Sequence, residues 1–244
     1  VILYGRNPVS EALRGRRARR VADVWATAGA AREPSLEGIA VRICSAEEIE
    51  RRCGSPAHQG VCADAGAYPY SSQVELLADE APLLVALDQV QDPQNLGSIC
   101  RTAECVGAAG VVIPERRSAE ITPAVCKASA GAVEHLRVAR VRNMADFLAE
   151  AARAGCWCYG ASAAKPPSGR TPVPYDAPDY AGAGMVLVLG SEGSGLRPRV
   201  AKACDELISL PLLGRIESLG VAAAAAAILY EILQSRGARL DNGS

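Results

Sequence analysis

The 244-residue chain contains no apolar run long enough to cross a bilayer. Its longest, residues 221–230, includes six alanines and reaches only about half of the roughly 20 residues a spanning helix requires. Charge of one sign is also missing: 26 Lys and Arg stand against 27 Asp and Glu, a formal net charge of -1. That excludes a uniformly basic nucleic-acid binder, because phosphate neutralisation needs an excess of Lys and Arg somewhere on the surface. There are only two histidines, and none of the nine cysteines forms a Cys-x-x-Cys pair, which argues against a zinc site or any other metal centre. No signal-peptide apolar region opens the chain, so its thiols are expected to be reduced and its location cytoplasmic. Cys156 and Cys158, flanking Trp157 in a predicted strand, are expected to face one side.

What is present is an ordinary globular composition, 49% hydrophobic and 22% charged, sufficient for one large domain or two modest ones. Positive charge is concentrated at one end, where Arg6, Arg14, Arg16, Arg17, Arg19 and Arg20 face the single acid Glu11. Residues 1–66 alternate short apolar runs (21–25, 38–43, 61–63) with helical segments (7–14, 46–52), the pattern of a small α/β module. Gly66, Pro69, Ser71 and Ser72 then cluster, so residues 67–78 are expected to be a linker. From 79 to 244 short apolar runs alternate with helical stretches, as in a parallel sheet covered on both faces. The predicted strands are 83–87, 110–113, 137–141, 156–161, 185–189 and 206–210, with helices including 96–106, 144–154 and 221–234. A proline-rich segment, 165–178, is read as irregular surface chain.

Ligands of such sheets bind beyond the carboxyl ends of the strands, and three loops there draw notice. The first runs from Asp88 to Arg101 and contains Asp92-Pro93-Gln94-Asn95-Leu96-Gly97; Asn95 is placed to cap the following helix, and a helix N-terminus with an arginine suits a phosphate. The second, Gly190-Ser191-Glu192-Gly193-Ser194-Gly195, exposes backbone amides, although its glycine spacing and late position differ from a dinucleotide fingerprint. The third runs from Leu210-Pro211 through Ser218-Leu219-Gly220 into an alanine-rich helix that can pack closely on a neighbour. Singly, each also suits a structural role: a cap, a glycine turn, a tight helix contact.

In this order and spacing the three loops resemble the motifs of the SpoU (TrmH) family of RNA ribose methyltransferases. Tyr4-Gly5-Arg6-Asn7-Pro8 and His58-Gln59-Gly60-Val61 resemble the substrate-binding domain of its RlmB-like subgroup, which modifies a guanosine of 23S rRNA. The resemblance implies a trefoil-knotted C-terminal α/β methyltransferase domain with a parallel sheet, a small N-terminal α/β RNA-binding domain, a homodimer, and S-adenosylmethionine as cofactor. It implies cofactor contacts at Gly190, Leu210 and Leu219, with the strand ends Leu189 and Ile208, and catalytic or substrate-positioning roles for Asn95, Arg101, Glu192 and Ser218. RNA, with 23S rRNA ahead of tRNA, is the implied partner, and Arg6, Arg16, Arg17, Arg19 and Arg20 are the expected phosphate contacts.

The implied reaction brings a ribose 2′-hydroxyl in line with a sulfonium methyl about 3–3.5 Å away. Arg101 is suited to hold a phosphate and the developing negative charge, but a guanidinium is a poor base, so a phosphate oxygen or water takes the proton equally well. One departure stands out: the family usually reads Ser-Leu-Asn-Val-Ser where this chain has Ser218-Leu219-Gly220-Val221-Ala222. Two other readings therefore stay open, a catalytically weak RNA-binding or ribosome-assembly protein and an rRNA methyltransferase that confers antibiotic resistance.

Overall fold

The N-terminal apolar runs pair into a four-stranded sheet of β1 (Ile2–Tyr4), β2 (Asp23–Ala26), β3 (Val41–Ile43) and β4 (Val61–Asp64), in the order β1-β4-β2-β3. One face packs Leu3, Val24 and Ala63 beneath α1 (Arg6–Arg14), while Trp25 and Cys62 pack with Ile49 of α2 (Ala46–Cys53) on the other. The Ser45 hydroxyl caps α2 by accepting the Glu48 N–H at 3.2 Å. The computed structural model describes residues 1–162, 169–215 and 218–237. Residues 165–168 of the proline-rich segment, and Ile216 and Glu217 of the third loop, lie outside the described residues.

The expected linker is not a free connection. The Tyr68 hydroxyl is buried 2.9 and 2.8 Å from the carbonyl oxygens of Val133 and Leu136 and can donate its one proton to either. Ser71 donates its N–H to the Val138 carbonyl at 2.9 Å, and α3 (Gln73–Leu77), with a capping box between Ser72 and Glu75, buries Leu76 in the larger domain. Polar turn residues marked this segment as a connection; its Tyr and Leu side chains fasten it down.

Beyond it lie β5 (Leu83–Asp88), α4 (Pro93–Cys105), β6 (Gly110–Pro114), α5 (Pro123–Ala128), β7 (Val138–Val141), α6 (Met144–Arg153), β8 (Cys156–Ala161), β9 (Val173–Pro174), β10 (Gly184–Gly190), α7 (Pro198–Ala203), β11 (Glu206–Ser209) and α8 (Val221–Ser235). The strands form one wholly parallel sheet in the order β7-β6-β5-β10-β8-β11-β9. Alternation assigns the two faces: Leu83, Val85 and Leu87 of β5 face α4 and α8, whereas Leu84 and Ala86 join the core built on Met144, Phe147 and Val200 of α6 and α7. From β5 the chain adds β6 and β7 on one side, then crosses to β8 and returns to place β10 between β5 and β8. The order reverses at β5 and β10, the place where a crevice opens above an α/β sheet.

β9 lies in the segment read as irregular; its two residues extend the sheet edge by pairing with Ile208 and Ser209. Cys156 and Cys158 are buried while Trp157 between them is exposed, and all nine cysteines are free thiols. Among the described residues no group of His, Cys, Asp and Glu is arranged to hold a metal ion, and no helix is long and apolar enough to cross a membrane.

Candidate functional site

Asp92, not Asn95, caps α4: its Oδ1 accepts the Gln94 N–H at 2.9 Å, and Pro93 takes the first helical position. Proline has no N–H to lose there and its fixed φ suits the first turn. The helix thus begins three residues earlier than the sequence reading placed it, and the Asn95 side chain is released from capping. Its Nδ2 instead donates to Glu192 Oε1 at 3.1 Å, joining the first and second loops across 97 residues. Arg101, six residues on, emerges about 120° round the helix from Asn95; it is exposed and makes no side-chain hydrogen bond or ion pair among the described residues.

The second loop closes on itself. Ser191 and Gly195 exchange backbone hydrogen bonds of 3.2 and 3.0 Å, and the hydroxyls of Ser191 and Ser194 lie 2.6 Å apart. Gly190 is required by this closure, since a Cβ there would lie 2.2 Å from the Gly195 carbonyl carbon. Around Gly193, Gly195 and Gly214 a Cβ would meet nothing within 4 Å, so these backbones line open space. Of the expected cofactor contacts, Leu219 is 52% exposed and Leu210 half-buried, while the side chains of Leu189 and Ile208 lie in the core and only their backbones reach the carboxyl edge of the sheet. An exposed apolar side chain beside bare backbone can take a flat apolar ring through its face and the ring's polar edge through amides and carbonyls.

Ser218 is exposed in the third loop, and no hydrogen bond joins it to Asn95, Arg101 or Glu192. Gly220, which replaces the amide-bearing residue of the resembled motif, precedes α8 with φ 82° and ψ 141°. Its missing Cβ would lie 3.8 Å from Glu192 Oε1, so the Asn95–Glu192 pair sits beside the gap. Asparagine tolerates a positive φ only near ψ of about 45°, not at this extended ψ. Restoring the motif residue with Gly220→Asn should therefore destabilise the protein by about 1–3 kcal/mol. Urea unfolding checks this, and a variant as stable as the parent would disprove the strain.

Asp88 carried no role in the sequence reading, yet it anchors the site. Fully buried at the end of β5, its carboxylate accepts the Arg197 N–H at 2.9 Å and Nε at 2.8 Å, with Nη2 at 2.6 Å from Oδ1. A carboxylate ending an otherwise apolar run was the available signal, because a buried charge needs a partner.

The arginine-rich N-terminal segment requires a correction. Arg17 is 1% exposed and makes a two-pronged ion pair with the fully buried Glu134, so it cannot contact RNA phosphates. Burial alone would lower its pKa, but the hydrogen bonds and charge of Glu134, with Cys126 alongside, hold it above the usual arginine value. Burial pushes the Cys126 thiol up to about 11 against the opposing pull of Arg17. Arg16 donates to the Ser71 hydroxyl at 2.9 Å, Arg20 to the Ala67 carbonyl at 3.3 Å, and Arg6 pairs with Glu33 at 2.7 Å. All three remain exposed, as does Arg19. Together with the Arg17–Glu134 pair, a Lys127 bond to the Ala57 carbonyl at 3.0 Å and a Glu11–His135 contact at 2.7 Å form the docking face between the N-terminal domain and the larger one.

Residues 82–230 match the family model described as the SpoU rRNA Methylase family, and residues 2–71 match that of RNA 2'-O ribose methyltransferase substrate binding. YacO of Bacillus subtilis, named for the TrmH family of tRNA/rRNA methyltransferases, is 38% identical over 205 residues, 82% of this chain and 79% of that one. Among solved structures, an AdoMet-bound rRNA methyltransferase from Sinorhizobium meliloti superposes with a TM-score of 0.77 at 26% identity, covering 96% of this chain and 86% of that one. The SpoU methyltransferase AviRb from Streptomyces viridochromogenes, in complex with AdoMet, gives 0.77 at 25% identity, covering 96% and 89%.

Proposed function

Because the chain belongs to the SpoU rRNA methylase family, we propose that it transfers a methyl group from S-adenosylmethionine to a ribose 2′-hydroxyl of RNA, with a guanosine of 23S rRNA as the target. The observation that carries this reading is the convergence of Asn95 and Glu192, 97 residues apart, at the carboxyl edge where the strand order reverses. The residues present fit the cofactor: open backbone at Gly193, Gly195 and Gly214 accepts hydrogen-bonding edges, and Leu219 offers an apolar face to adenine. When bound, S-adenosylmethionine supplies an electrophilic methyl on a sulfonium centre.

This chain's own groups bind and orient. Arg101 presents a planar fork of donors to a phosphate and to negative charge developing on the attacking oxygen. Glu192, by accepting the Asn95 amide, fixes how that side chain faces the substrate, and Ser218 stands on the third loop to bond near the reacting oxygen. The departing proton goes to a substrate phosphate oxygen or water, since a guanidinium stays protonated. The reading includes a trefoil knot in the C-terminal domain and a cytoplasmic homodimer. The exposed apolar side chains of Leu212, Leu213 and Tyr230 are surface of the kind a second copy covers.

The test is incubation of the purified protein with radiolabelled S-adenosylmethionine and unmodified 23S rRNA or tRNA, then nuclease digestion and nucleoside analysis. A labelled 2′-O-methylguanosine from 23S rRNA is expected. Tight RNA binding with no labelled product would replace this reading with that of an RNA-binding assembly protein, which the missing amide at Gly220 and the missing hydroxyl at Ala222 favour as the second choice.

A further inference from the structure

An open cavity of about 470 Å³ lies between the starts of α6 and α7, and neither Asn95 nor Glu192 lines it. Its lining includes Arg142, Asn143, Arg197 and Arg199 and no acidic residue. The Arg197 charge is matched by Asp88 beneath it. Arg142 and Arg199 are exposed and enter no hydrogen bond or ion pair among the described residues, so the cavity carries two uncompensated positive charges. It also lies at the site's own end of the sheet: Arg142 directly follows β7, and Arg197 and Arg199 follow the second loop. Asp88 completes the link, because the carboxylate that holds Arg197 sits on the residue paired with Gly190.

We infer that this cavity binds backbone phosphates of the RNA that flank the target nucleotide, with Arg142 and Arg199 as the phosphate-contacting side chains. The inference rests on the methyltransferase reading and adds, on the sheet edge, a phosphate contact to those expected of Arg101 and the N-terminal arginines. An arginine fork matches two phosphate oxygens, and an acid-free lining leaves that attraction unopposed. Contacts of this kind position the chain without reading its sequence, so they act on RNA affinity and leave the chemical step alone.

The test compares the parent with Arg142→Gln, Arg199→Gln and the double variant. Fluorescence anisotropy with labelled poly(U) and with an unmodified 23S rRNA transcript is measured over a salt series, and S-adenosylmethionine binding is measured by calorimetry. The slope of log affinity against log salt should flatten by about 0.7 for each arginine removed. KM for RNA should rise while kcat and cofactor affinity hold, and the Arg142→Lys, Arg199→Lys variant should recover most of the slope. Both side chains are exposed and unpaired among the described residues, so unfolding is not the expected failure. An unchanged slope and affinity in the double variant, with methyl transfer intact in the parent, would overturn the phosphate site and leave the methyltransferase reading standing. A parent chain that binds no RNA would overturn both.

Discussion

Replacing Arg101 with alanine is expected to lower methyl transfer about 10²–10³-fold, the usual cost of removing one donor aimed at developing charge. The fold should not suffer, because the side chain is exposed and holds no partner among the described residues. Cofactor affinity should also survive, since the expected contacts lie on the second and third loops and not on α4. Arg101→Lys should fall between the two, retaining the charge but losing the fork. Single-turnover rates with saturating RNA read the effect directly. A loss of only a few fold would move the charge-stabilising role elsewhere, with Ser218 and the Asn95–Glu192 pair the next residues to examine.

Arg17→Ala should cost about 3–5 kcal/mol of stability, because it strands Glu134 as an unpaired charge in a fully buried position. Replacing both partners, as Arg17→Met with Glu134→Leu, should recover most of that loss, since apolar groups of similar volume need no partner. Urea unfolding of the three variants checks both statements. A single variant within about 1 kcal/mol of the parent would mean that water reaches the pair. The same substitution should expose the chain between α1 and β2 to protease, because the Arg16 N–H bond to the Glu134 carbonyl at 2.8 Å belongs to the same docking face.

The two predictions mark where a linear reading succeeds and where it stops. β8 was legible to the residue and β5 to within one: β5, buried on both faces, leaves an unbroken apolar run, and β8 keeps an apolar sequence even though Trp157 is exposed. Asp88 was lost from β5 only because a carboxylate reads as loop. The motif positions Asn95 and Glu192 were legible through resemblance, and their meeting is a property of the folded chain. The start of α4 was legible and misread: aspartate followed by proline is a strong start signal, and Asn95 two residues later competed with it. Arg17 was not legible. It stands among five other arginines, and nothing local separates it from its exposed neighbours; its burial depends on a carboxylate 117 residues away. The arginines of the α6–α7 cavity were hidden for the converse reason: Arg142 precedes α6 while Arg197 and Arg199 open α7, more than 50 residues on, and only the fold brings them together.

Asp88 has a consequence for how the second loop meets a ligand. Gly190 at one end is paired with Asp88 across β10 and β5, and Arg197 at the other is clamped by the same carboxylate. Both ends of the intervening hexapeptide are therefore fixed to one buried point, as the ends of a bridge are fixed to a common pier. A loop so held has surrendered most of its configurational freedom when the sheet forms, so association need not order it a second time. Loosening the clamp with Asp88→Asn should then appear less in the shape of the bound complex than in its calorimetric signature, as a larger entropic penalty on binding offset by little change in enthalpy.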